Sequence, residues 1–167
     1  MQHEREYAAF VAERWPTLLR SAVFLGATPD EAEDLVQVTL VLCYRKWHLV
    51  RTAENRDGYV YRMLLNVLRS DRRSAWHRIR SPREATDQPV ADTTEATEIA
   101  DAVHRALATL SKEQREVVVL RYFVQLSEAQ TAAALGIPAG TVKSRLARSL
   151  AQLSANDHLA DVTGGRS

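Results

Sequence analysis

The stretch Leu126–Leu153, LSEAQTAAALGIPAGTVKSRLARSLAQL, constrains the fold more than any other part of the chain. Ser127 and Gln130 stand three residues apart, the spacing of a capping box in which side chains and backbone satisfy each other at a helix start. An alanine-rich run carries that helix to Leu135, and Gly136 can take the left-handed conformation that ends it. Ile137 and Pro138 fill a tight turn. A second helix begins around Thr141, with Val142, Leu146, Leu150 and Leu153 on its inward face. Thr141, Ser144, Arg145 and Arg148 share the opposite face, with Lys143 and Ala147 beside them. Small alanines let the first helix pack closely on the second, whose exposed N-terminal half can then enter a major groove. The pattern is a helix-turn-helix. A plain helical hairpin with a basic surface needs no such coincidence of caps, turn glycine and basic helix.

The rest of the chain also reads as helix, with no convincing strand periodicity, so the fold class is all-α. Thr28-Pro29-Asp30-Glu31 joins an N-cap, a first-turn proline and a capping-box glutamate. Val36, Leu40, Cys43 and Trp47 follow at spacings of four, three and four, which puts them on one face. A further helix is expected over about 57–76, with Val60, Leu64, Val67 and Leu68 inward. Its other face carries Arg62, Asn66, Arg69 and Arg73, a polar and cationic stripe. Residues 81–96, SPREATDQPVADTTEA, hold too few large apolar side chains to build a core and read as a linker. Beyond it, Ile99, Val103, Leu107 and Leu110 mark one amphipathic helix. A Ser111–Gln114 capping box opens the next, whose buried stripe is Val117, Leu120 and Val124. These signals divide the chain into helical domains over 1–82 and 98–155, a flexible acidic linker over 83–97, and a disordered tail over 156–167.

The formal net charge of +1 hides a strong segregation along the chain. Residues 1–39 carry three basic and seven acidic side chains, and residues 40–83 carry eleven basic and three acidic. Residues 84–101 carry six acidic and no basic ones, and 102–167 carry eight basic and five acidic. Two basic blocks separated by an acidic one suggest two polyanion-facing modules. In the C-terminal block, arginine can bond guanine O6 and N7 together, whereas Lys143, Thr141 and helix-terminal N–H groups suit phosphates.

Chemistry of its own is not expected. The five histidines are scattered, and no HExxH, P-loop or nucleophile-elbow spacing occurs. Asp30, Glu31, Glu33 and Asp34 crowd a helix start, where carboxylates favour the macrodipole, so no catalytic residue, metal or cofactor is assigned. Cys43 is the only cysteine and reads as core filler. No apolar run is long enough to cross a bilayer and the N-terminus lacks a signal-peptide pattern, so the expected location is the cytoplasm, with no membrane partner.

Three landmarks in order resemble one family: Ala32-Glu33-Asp34-Leu35-Val36-Gln37, then YVYRMLLNVLRSDRR over 59–73, then Gly140-Thr141-Val142-Lys143-Ser144-Arg145. From about Glu4 to Leu153 the chain resembles an extracytoplasmic-function sigma factor of the actinobacterial sigma-E type, within the sigma-70 family. That compact class keeps regions two and four and lacks the domain between them. The resemblance implies that Asp34, Leu35 and Gln37 dock on the clamp helices of core RNA polymerase. It implies that Arg62, Asn66, Arg69, Arg72 and Arg73 take the minus-ten element as single strand, Asn66 near the flipped base. Thr141, Lys143, Ser144, Arg145, Ala147 and Arg148 would contact the minus-thirty-five element, Ala147 offering only a methyl. Trp76 and Tyr59 lie close to the cationic stripe, with core packing their favoured role. Core polymerase and promoter DNA are the implied partners, an anti-sigma factor is a further one, and the free protein would be a monomer.

A transcriptional regulator with an N-terminal sensor or dimerisation domain is the competing interpretation. It needs an apolar pocket or a dimer face in the N-terminal half. That half instead devotes a helix face to Arg62, Asn66, Arg69 and Arg73.

Overall fold

A computed structural model describes the backbone of residues 1–78 and 95–155, with side chains over 1–71 and 98–155. The described residues form helices and no strand: α1 Gln2–Phe24, α2 Pro29–Arg45, α3 Trp47–Thr52, α4 Arg56–Arg78, α5 Glu95–Ala108, α6 Lys112–Val118, α7 Glu128–Leu135 and α8 Ala139–Ser154. The expected linker falls almost wholly outside the described residues, as does the tail beyond Ala155.

Local chemistry sets the helix starts. Thr28, Ser111 and Ser127 each accept from the backbone N–H three residues on, while Glu31, Gln114 and Gln130 reach back to the N–H of the cap. Each box satisfies two backbone donors that a helix start otherwise leaves open. Asn55 does part of this work for α4, its Oδ1 accepting from Gly58 N–H at 3.2 Å.

The predicted stripe of α2 is the core of the N-terminal half, for Val36, Leu40 and Cys43 are buried. Trp47 is buried too, but it opens the short α3 after the chain breaks its helix at Lys46. Val60, Leu64 and Leu68 of α4 pack inward as expected, with Val67 half-buried. The long α1, which carries Pro16 inside it, lays Phe10, Leu18 and Ala22 against the same core. Tyr7 locks α1 to α2, its hydroxyl donating to Leu40 O at 2.7 Å.

In the C-terminal half, Leu107, Leu110, Val117 and Leu120 are buried, but Ile99 is 44% exposed. Ile99 stands one turn outside the packed part of α5, so its place in the apolar stripe does not bury it. Between α6 and α7 the chain makes a π-turn over Val119–Phe123, with Val124 N–H donating to Val119 O at 3.0 Å. Gln125 then takes φ 63°, and Leu126 N–H returns to Leu120 O at 2.9 Å. The buried residues of both halves join in one continuous hydrophobic cluster running from Phe10 to Leu153.

Candidate nucleic-acid interface

The helix-turn-helix is built as the sequence predicts. Ser127 N–H donates to Gln130 Oε1 at 2.8 Å and Gln130 N–H to Ser127 Oγ at 3.0 Å, which fixes the start of α7. Gly136 ends it at φ 68°, ψ 36°, and Ile137 N–H closes the turn on Ala132 O at 3.1 Å. The carbonyl of Pro138 opens α8 by accepting from Thr141 and Val142 N–H at 3.0 and 3.2 Å. Helix α8 therefore begins two residues before the predicted Thr141. Val142 and Leu153 are buried and fasten the helix at both ends, with Leu146 and Leu150 half-buried between them. Ser149 is buried as well and returns its hydroxyl to Arg145 O at 2.7 Å.

This anchoring decides which side chains face outward. Lys143, Ser144, Ala147 and Arg148 are exposed and fall within one arc of α8. Thr141 and Arg145 are half-buried at the edge of that arc. The Ser144 hydroxyl donates to Thr141 O at 3.2 Å, so what it offers outward is an acceptor. No acidic residue occurs in α8, and neither Lys143 nor Arg148 enters an ion pair among the described residues. Two uncompensated cations on a narrow helix face make a surface that attracts phosphate.

On α4, Arg62 and Asn66 are exposed and Arg69 is half-buried. Arg62 lines a cleft of about 230 Å³ with Asn55 and Tyr59 on one wall and Gln130, Ala133 and Ala134 of α7 on the other. Arg69 donates through Nη2 to Glu116 Oε2 at 3.3 Å. Tyr59 packs half-buried against the core, as favoured for it. The helix carries on through Arg72, Arg73 and Trp76, whose side chains lie outside the described residues.

On α2, Asp34 and Gln37 are exposed, whereas Leu35 is 3% exposed and belongs to the core. The Leu35 side chain therefore supports the surface from beneath and offers a docking partner nothing directly. Sequence reasoning missed Val38 and Val41, each 50% exposed on the same outer face as Asp34. The signal was present: they are apolar residues standing outside the buried stripe of Val36, Leu40 and Cys43. Tyr44 is exposed at the end of the same helix, its ring set edge-on to Tyr7 at 5.0 Å.

Among the described residues no cluster of His, Cys, Asp or Glu is arranged to hold a metal, and no helix is long and apolar enough to cross a membrane. Burial pushes the Cys43 thiol up to about 11 and raises the Tyr61 and Tyr7 hydroxyls. All three shifts come first from desolvation of the charged form.

Residues 100–153 match the family described as "Sigma-70, region 4". The chain is 39% identical over 153 residues to the RNA polymerase sigma-E factor of Streptomyces coelicolor, a match covering 89% of this chain and 84% of that protein. It is 36% identical to the ECF RNA polymerase sigma factor SigM of Mycobacterium tuberculosis, covering 82% and 69% respectively. Its fold is similar to that of the sigma factor RpoE from Bartonella quintana, solved in complex with the anti-sigma factor NepR. There the TM-score is 0.72 at 23% identity, over 98% of this chain and 99% of that one.

Proposed function

The chain belongs to the extracytoplasmic-function sigma factors of RNA polymerase, and from that premise we propose how its surfaces divide the work of starting transcription. It directs promoter-specific initiation by binding core polymerase, reading the minus-thirty-five element and melting the minus-ten element. We assign the upstream reading to α8. Lys143, Ser144, Ala147 and Arg148 enter the major groove, and Thr141 and Arg145 flank them on the phosphates. An exposed arginine can read a guanine edge with two bonds, and the Ala147 methyl gives only apolar contact.

The downstream element belongs to α4. Asn66 is placed at the flipped base, with Arg62, Arg69, Arg72 and Arg73 along the strand, where cations follow the backbone of single-stranded DNA. Core polymerase docks on α2, through Asp34 and Gln37 and the exposed methyls of Val38 and Val41. The working units are 1–82 and 98–155, with 83–97 between them. The acidic side chains of that connector would mimic nucleic acid in a basic channel of the polymerase. The protein acts as a monomer in the cytoplasm, brings no catalytic residue or cofactor of its own, and has an anti-sigma factor as a further partner.

The observation that carries this reading is the exposed, acid-free arc of α8 beside a family match over the same residues. It is tested by transcription from genomic fragments with purified core polymerase, with and without the protein. Promoter-dependent initiation only in its presence is the expected result. Tight binding of a palindromic operator by the protein alone, as a dimer, would instead favour a helix-turn-helix regulator.

A further inference from the structure

A short side chain reads a base edge only if the backbone that carries it comes close, and the outer face of α8 leaves room for such an approach. Gly140, Ser144 and Ala147 are exposed and stand four and three residues apart, so they follow one another along one arc of the helix. At about 100° per residue, the longer Lys143 and Arg148 fall on either side of that arc. Gly140 has an ordinary helical backbone, and a Cβ added there would meet nothing within 4 Å. Neither a positive φ nor a packed neighbour calls for glycine at this position, although glycine weakens a helix relative to alanine. The space it leaves opens outward, on the side where α8 would meet DNA.

Ser144 alone of these three has a polar side chain, and its proton is already in use. The hydroxyl donates to Thr141 O at 3.2 Å, which leaves the oxygen lone pairs facing outward. Donating to a base instead would mean giving up that bond. In the major groove the exocyclic amino groups of adenine and cytosine are donors, whereas guanine and thymine present only acceptors there. An oxygen that only accepts is attracted by the first two bases and meets the other two lone pair against lone pair. Every base pair carries its amino group on one strand, so such an oxygen also tells the strands apart. We propose that Ser144 fixes one position of the minus-thirty-five element as adenine or cytosine on the strand it faces, and that Gly140 is bare so that the α8 backbone can lie close enough for it to do so. This rests on the assignment of α8 to that element. Ala147 makes no polar demand on its base and adds at most apolar contact with a thymine methyl. The net worth of one hydrogen bond exchanged with water corresponds to a discrimination of about two- to tenfold.

The test uses holoenzyme assembled from core polymerase and the full chain, on a promoter that the wild-type protein uses. Each base pair of the upstream element is reversed in turn. Each adenine or cytosine is also replaced in turn by purine or 2-pyrimidinone, which lack only the amino group. Competition binding is measured for wild type, Ser144→Ala and Gly140→Ala. At one position the wild type should prefer the amino base by about two- to tenfold and lose that advantage when the amino group is removed. Ser144→Ala should be indifferent to both changes at that position and behave as wild type at the others. Gly140→Ala should melt at the same temperature or higher, since its backbone suits alanine, yet bind the promoter several-fold more weakly. A wild-type preference for guanine or thymine at the position that Ser144→Ala alters would overturn the assignment. So would a Ser144→Ala protein with every preference intact while Arg148→Ala loses one. Full promoter affinity in Gly140→Ala would overturn the close approach. Failure of the α8 assignment itself shows differently, as upstream preferences unchanged in Lys143→Ala, Ser144→Ala and Arg148→Ala alike.

Discussion

The Tyr61 hydroxyl lies 3.1 Å from Ser21 Oγ where α4 crosses α1, with both residues buried. Ser21 spends its own proton on Thr17 O at 2.7 Å, so Tyr61 is the donor in the pair. Tyr61→Phe would leave the Ser21 oxygen one bond short in a buried site, at a cost of about 1 kcal/mol in unfolding free energy. Urea denaturation measures it, and an unchanged midpoint would show that the bond contributes nothing net.

Gly136 has open space where a Cβ would stand, so Gly136→Ala meets no clash and pays only for its φ of 68°. A left-handed alanine costs about 1 kcal/mol. The thermal midpoint should fall accordingly, while promoter preference at saturating protein stays the same.

Arg148→Ala removes one exposed cation from α8. If it reads a base edge, promoter binding weakens by about 1–3 kcal/mol and discrimination relaxes at one position of the upstream element. If it contacts only phosphate, binding weakens alike on all sequences and the salt dependence becomes shallower. Competition assays with single-base promoter variants at two salt concentrations separate the outcomes.

Val41→Asp places a carboxylate on a half-exposed site whose neighbours need not move, so folding should be unaffected. Association with core polymerase should weaken, with the DNA preference of the remaining holoenzyme intact. Leu35→Ala should behave differently, lowering stability by about 2–5 kcal/mol through a cavity in the core. Titration against core polymerase alongside thermal melting distinguishes a docking residue from a supporting one.

Burial raises the Cys43 thiol from 9.0 to about 11. A group protonated more firmly in the folded state gives stability that is fully present below its unfolded pKa and is lost as pH rises through the folded one. Stability should therefore decline between about pH 9 and pH 11, and Cys43→Ser should make the decline shallower, with the raised Tyr61 and Tyr7 hydroxyls accounting for the part that persists above pH 10.0. At neutral pH, alkylation of Cys43 should be slow and track global unfolding.

Much of this architecture was legible in the sequence because its signals are local. Capping boxes at Thr28, Ser111 and Ser127 and the turn at Gly136 depend on neighbours three or four residues away, and each formed where expected. Periodicity found the outward face of α8 only in part: it centred the face on Thr141, Ser144, Arg145 and Arg148, whereas Thr141 and Arg145 lie half-buried at its edge and Lys143 and Ala147 are exposed. What stayed hidden depends on residues far apart in the chain. Leu35 is within a segment that resembles a docking motif, yet its side chain lies on the inward face. The engagement of Arg69 by Glu116 joins positions 47 residues apart, and no local pattern announces it. The π-turn at Val119–Phe123 was equally invisible, since its residues read as an ordinary continuation of α6.

The reciprocal caps also bear on how the chain acquires its fold. A helix whose first turn is specified by its own side chains can form before any distant segment has arrived, and folds dominated by such short-range contacts reach the native state quickly. During synthesis the Thr28–Glu31 box biases α2 towards helix, but the buried stripe of Val36, Leu40 and Cys43 is covered only once α4 has followed it out of the ribosome. The N-terminal half could then be folded before α8 has been made, leaving the last helices to dock onto a surface already in place.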